Sequence, residues 1–138
     1  GIGLLPLKTT FYEKKLTRQI NSESLWPCRS EINGFEIHNG QTEFDNIKSS
    51  LKINPIFKDL DLGWYKENNE GGTIVGTYIH GIFENDSWRD QYINLIRRRR
   101  KLPSLNKKSI SYKIKRESII NKLAHEFEKH LDIASILI

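Results

Sequence analysis

The amino-acid sequence predicts an α/β fold built around a strand that ends in a histidine. Three patterns carry that expectation. Residues 73–79 (TIVGTYI) are rich in β-branched and aromatic side chains and follow the Gly71-Gly72 pair. They read as a strand that delivers His80 at its carboxyl end, with Gly81 directly after it. Trp88, Tyr92, Leu95 and Ile96 recur at helical spacing behind Asn85 and Asp86, either of which can cap a helix starting near Ser87, and Pro103 stops its continuation. Ile119, Ile120, Leu123, Ala124, Phe127 and Leu131 recur in the same way, predicting a final helix over 116–130. Open α/β sheets place their ligands at the carboxyl ends of strands, so His80 stands where chemistry is expected.

The earlier segments read less evenly. Residues 1–20 suggest strand, turn and strand, with Pro6 at a strand end and Leu16 to Ile20 alternating in polarity. Residues 21–33 are polar and contain Trp26-Pro27, so they read as a loop. Within 34–44, glycines at 34 and 40 bracket an alternation of Phe35 and Ile37 with Glu36 and His38. That spacing predicts a strand with Glu36 and His38 on one face. Residues 45–70 give no periodic signal, and Asn54-Pro55 and Asn68-Asn69 suggest turns.

Length and charge narrow the classes. A chain of 138 residues allows about one domain with a single modest core. The net charge of +5 is uneven: residues 1–96 balance at −3 and residues 97–138 at +8. No apolar run approaches the roughly 18 residues of a membrane span. The opening GIGLLPL is too short for a signal-peptide core and has no basic stretch before it. The single cysteine, Cys28, rules out an intrachain disulfide and a cysteine-only metal site, which fits a reducing compartment.

Three stretches carry the functional signal: GIGLLPLKTT at 1–10, GFEIHNGQT at 34–42 and GTIVGTYIHGIF at 72–83. In order and spacing they resemble the GLGLLPLxT, GYEIHxGxT and GTYxHGxF stretches of the glutamine amidotransferase domain of cobyric acid synthases. The resemblance covers about residues 1–100. Asn39-Gly40 after His38 favours this branch over the related diamide synthases, where His-Tyr-Ser is expected. The resemblance implies the C-terminal portion of a flavodoxin-like amidotransferase domain with C-terminal helices, over residues 1–100, then a basic connector and helix over 101–138. It implies that the chain, which opens on Gly1 and contains no Met, is a fragment of a longer cytoplasmic enzyme.

The implied chemistry is of the Cys-His type. A thiolate attacks the side-chain amide of L-glutamine, and the released ammonia reaches an ATP-activated carboxylate of a corrinoid, adenosylcobyrinic acid a,c-diamide, in adenosylcobalamin biosynthesis. ATP and Mg2+ belong by the same resemblance to an N-terminal synthetase domain outside this chain, which itself is expected to hold no cofactor and no metal. An imidazole beside the thiol lowers the thiol pKa, so a rigidly placed histidine is needed. His80 matches the motif histidine and is the expected catalytic residue. Many related amidotransferases orient that histidine with a Glu two residues on. Here the position is Ile82, and Glu84 lies four residues on.

Glu36 and His38 are candidates for lining the site or, more simply, a hydrogen-bonded structural pair. Cys28 is not favoured as nucleophile. The family's cysteine sits in a glycine-rich elbow ahead of the first motif, whereas Cys28 follows that motif in Trp-Pro-Cys-Arg-Ser. By this reading the nucleophile lies outside the chain, and the isolated chain is inactive. Gly1 and Gly3 do not form a dinucleotide fingerprint, since Pro6 stands where the third glycine belongs. The run Arg97-Arg98-Arg99-Arg100-Lys101 offers an alternative, a basic nucleic-acid-binding module. It lacks interleaved aromatics and reads more simply as a solvated helix end complementing the helix dipole. A related amidotransferase acting on another carboxylate, such as a cell-wall glutamate, is a third reading. His125 and His130 are five apart, which is not the spacing of a helical metal pair.

Overall fold

The computed structural model describes residues 3–45, 52–68, 71–105 and 110–132. Gly1, Asn69 and part of the basic connector, 106–109, therefore lie outside the described residues. The chain divides into two compact units, Gly1–Leu105 and Asn106–Ile138.

Among the described residues the first unit is a six-stranded sheet with one α-helix. Its strands are β1 (Leu7–Ser24), β2 (Ser30–Phe44), β3 (Asn54–Phe57), β4 (Leu60–Glu67), β5 (Thr73–Thr77) and β6 (Ile79–His80). The order across the sheet is β5-β4-β3-β1-β2-β6, and every neighbouring pair among the described residues is antiparallel. The flavodoxin-like arrangement is thus not what these residues form. Parallel neighbours need a crossover segment, usually a helix. No helix among the described residues precedes residue 82, and β1–β2, β3–β4 and β4–β5 turn back directly on one another. The sheet also coils round. β5 and β6 stand at opposite ends of the strand order, yet only Tyr78 separates them in the chain. Since adjacent Cα atoms are about 3.8 Å apart, the two ends must come close, giving a barrel-like sheet.

β1 is one long strand rather than strand, turn and strand, with a register irregularity between Thr10 and Lys15 where a turn is expected from sequence. The polar segment 21–33 is mostly ladder, not loop. Asn21 pairs with Asn33, and Ser24 with Ser30. Fully buried Ser24 is made tolerable by donating to the carbonyls of Trp26 (2.6 Å) and Cys28 (3.1 Å). Asn54-Pro55 opens β3 instead of a turn.

Along β2 the even-numbered residues Ile32, Gly34 and Glu36 are buried, while Glu31, Asn33, Phe35 and Asn39 are exposed. The buried face meets the core of Ile20, Trp26, Ile56, Phe57, Leu62, Ile79, Ile82 and Trp88. The other face of β2 is exposed and largely polar. Gln19 and Asn21 flank half-exposed Phe35 there.

The helix α1 (Asp86–Arg99) closes one side of this core. Trp88 is 2% exposed, stacks on Tyr92 at 5.1 Å and donates its indole N–H to the Trp26 carbonyl (2.9 Å). The expected buried face of α1 holds at Trp88, Tyr92 and Leu95, whereas Ile96 is exposed. The second unit contains α2 (Tyr112–His130), which starts four residues ahead of the expected Arg116. None of its residues is buried, so the apolar stripe of Ile119, Ile120, Leu123 and Phe127 stands exposed rather than in a core. No described helix is long and apolar enough to cross a membrane.

Candidate active site: His80 on an open sheet face

His80 is the last residue of β6 and is exposed. The register Phe35↔His80 and Glu36↔Ile79 fixes which way each side chain faces. Residues directly opposite in a sheet share a face. His80 therefore shares the open face with Phe35, while Ile79, 3% exposed, enters the core beside Glu36, 2% exposed.

The turn that follows is built to leave the strand at once. Gly81 has φ +79, in the left-handed region that glycine adopts without a Cβ penalty. A 3-10 turn over Ile82–Glu84 then leads into α1, with the Glu84 N–H donating to the Gly81 carbonyl (2.9 Å). Ile82, at the position where related enzymes carry an orienting Glu, is 6% exposed and sits in the core, where an unpaired carboxylate would be costly.

Gly34 governs how closely β6 approaches β2. A Cβ there would meet the His80 carbonyl oxygen and the Ile79 Cγ2, each at 2.5 Å. Gly34→Ala should push the His80 strand outward, because the obstructing atom is backbone. The cross-peaks of Ile79, His80 and Gly81 should shift in an amide NMR spectrum while those of β3 and β4 stay in place.

Glu36 and His38 come together with each other but not with His80. His38 Nε2 lies 2.7 Å from Glu36 Oε1, and Arg18 Nε lies 2.5 Å from Glu36 Oε2. The His38 ring stacks on Tyr78 at 4.7 Å, and its buried Nδ1 has no hydrogen-bond partner among the described residues. The Tyr78 hydroxyl joins Thr9 (2.9 Å) and Thr42 (2.7 Å), which bond each other at 2.8 Å. This network ties Tyr78, the one residue between β5 and β6, to the first two strands. Sequence pattern marks Gly34 only as a glycine bracketing a strand, and it does not mark Tyr78. Both sit inside the three motifs.

Cys28 is partly buried in the loop before β2, with Sγ 3.8 Å from the Ser30 hydroxyl. His80 pairs at Phe35, five residues further along β2. At roughly 3.3 Å per residue that is about 16 Å, far beyond contact between a thiol and an imidazole. The basic run is spent partly on the fold. Arg97 donates to the Pro103 carbonyl (2.7 Å), and Arg99 pairs with Glu67 (2.6 Å) and bonds Thr73. Among the described residues no group of three His, Cys, Asp or Glu side chains is arranged to hold a metal ion.

The profile of the CobB/CobQ-like glutamine amidotransferase domain matches residues 1–88, which contain Gly34, Glu36, His38 and His80. The chain belongs to this family. Cobyric acid synthase of Prochlorococcus marinus strain MIT 9215 is 77% identical over 137 residues, covering 99% of this chain and 27% of that protein. The cobyric acid synthase of P. marinus subsp. pastoris strain CCMP1986 is 70% identical over the same share of each chain. That of Synechococcus sp. strain CC9311 is 39% identical over 141 residues, again with 99% and 27% covered. The chain thus spans about a quarter of the length of these relatives. No solved structure matches it.

Proposed function

We propose that this chain is the histidine-bearing portion of the glutamine amidotransferase domain of a cobyric acid synthase. The observation that carries the reading is the placement of His80: exposed, at a strand end, on an open sheet face, within the stretch matched by the family profile. Relatives bearing the cobyric acid synthase name along almost the whole chain support the substrate class.

The chemistry follows from that placement. A cysteine thiolate supplied by sequence beyond these 138 residues attacks the side-chain amide carbon of L-glutamine. The C–N bond breaks, and the imidazolium of His80 protonates the departing ammonia. Water then attacks the thioester, giving its proton to His80 and releasing glutamate and the thiolate. His80 is the shuttle in both halves. The ammonia is consumed at an ATP-activated carboxylate of a corrinoid in a separate synthetase domain, where ATP and Mg2+ are assigned. No step on the residues described here runs through them. A reducing cytoplasm is the location this chemistry needs, because the thiol must stay reduced. Glu36, His38 and Tyr78 act in this reading from the opposite face, by fixing the chain just ahead of Ile79 and His80.

The chain by itself should release no ammonia from glutamine, and Cys28→Ser should change nothing, in the chain or in a complete synthase carrying it. A coupled glutamate dehydrogenase assay reads both. Glutamine hydrolysis by the isolated chain that disappears with Cys28→Ser would overturn the assignment of the nucleophile.

A further inference from the structure

Asn85 occupies the position just before α1, where a short polar side chain ordinarily turns back onto the first amides of the helix. It makes no such bond. Its carboxamide reaches across to β2 instead. The Asn33 N–H donates to Asn85 Oδ1 (2.9 Å), and Asn85 Nδ2 donates to the Asn33 carbonyl (2.9 Å). The same Nδ2 faces the carbonyls of Ile82 (3.0 Å) and Gly81 (3.3 Å).

The register explains why a side chain is needed there. β6 pairs with β2 only at Phe35 and Glu36. Continued by two residues, the antiparallel ladder would bring Ile82 opposite Asn33. The left-handed Gly81 takes the chain off the edge before that happens. The N–H and C=O of Asn33, which face away from β1, would then have no strand partner on the β6 side, and a carboxamide offers the same acceptor and donor as a peptide group.

We propose that Asn85 is a positioning residue for His80. Its amide replaces the missing rung of the ladder immediately past His80 and ties the carbonyls of the next two residues to β2, so the imidazole is held from its C-terminal side. The inference rests on the reading of His80 as catalytic.

The test uses Asn85→Ala and Asn85→Ser in a complete synthase carrying this sequence, with His80→Ala alongside. Serine is a good helix cap but is too short, with a single hydroxyl, to make both bonds to Asn33. Both Asn85 variants should lose about 10- to 100-fold in kcat for the glutamine-dependent reaction, the effect of misplacing a catalytic group by about an ångström, with KM for glutamine unchanged. The ammonia-dependent rate should be kept. In this chain, amide exchange at Asn33 should quicken in both variants. Full kcat in Asn85→Ser would overturn the inference and reduce Asn85 to a cap. Glutamine-dependent turnover that survives His80→Ala would instead remove the reading of His80 itself, leaving the Asn33 exchange result to stand on its own.

Discussion

His80→Ala, in a complete synthase carrying this sequence, should lower glutamine-dependent amidation by about 10²- to 10⁴-fold, the range expected when a positioned proton-transfer group is lost. Ammonia-dependent amidation should continue, since ammonia bypasses the thioester altogether. The substitution should leave stability within about 0.5 kcal/mol, because the side chain is exposed and packs into no core. Those outcomes together separate chemistry from folding. Initial rates with glutamine and with ammonium chloride, and a thermal melt, measure them. An equal loss of both activities would mean that His80 serves the fold or the passage of ammonia rather than the glutaminase step.

Trp88→Ala should be the most damaging single change in the first unit. The indole is 2% exposed, stacks on Tyr92, and meets Trp26 and Phe83 edge-on at 6.3 and 5.4 Å. Truncating such a side chain costs about 3–5 kcal/mol, mostly through the cavity left behind. The hydrogen bond matters less. The Trp26 carbonyl keeps the Ser24 hydroxyl at 2.6 Å when the indole is gone. Trp88→Phe retains a ring against Tyr92 and should cost roughly half as much. Urea unfolding followed by Trp26 and Trp64 fluorescence measures both. The loss reaches the site as well as the core. Trp88 lies in the first turn of the helix that follows the His80–Gly81 turn, so a loosened α1 frees the C-terminal side of the histidine.

The parts of the site that were legible in the sequence are those set by local chemistry. The run ending in His80-Gly81 announces a strand end and a sharp departure, although it forms two strands, β5 and β6, broken at Tyr78, rather than the single strand expected over 73–79; α1 follows from apolar spacing and Pro103. The alternation around Glu36 and His38 correctly placed the two on one face. What local pattern could not supply was pairing. β1 carries Glu13 and Lys14 in its middle and reads as turn there, yet the strand runs on through them, with a register irregularity between Thr10 and Lys15, because β2 pairs with it on both sides of that point. Asn54-Pro55 reads as a turn but starts an edge of β3. The antiparallel, coiled sheet depends on Tyr78 linking the two ends of the strand order, which no window of sequence displays. The opposite facing of Glu36 and His80 likewise depends on register. Asn85 was legible as a helix cap, and only the geometry shows its side chain bonded to Asn33 instead.

In the function proposed above, the imidazole of His80 serves a thiol held outside these 138 residues. A diazoketone analogue of glutamine, which alkylates the amidotransferase nucleophile, tests it most directly in a complete synthase. Peptide mass spectrometry should find the label on a cysteine N-terminal to Gly1, with Cys28 unlabelled and the labelling rate sharply reduced by His80→Ala. Label on Cys28, or a rate indifferent to His80, would mean that His80 does not serve an upstream thiol.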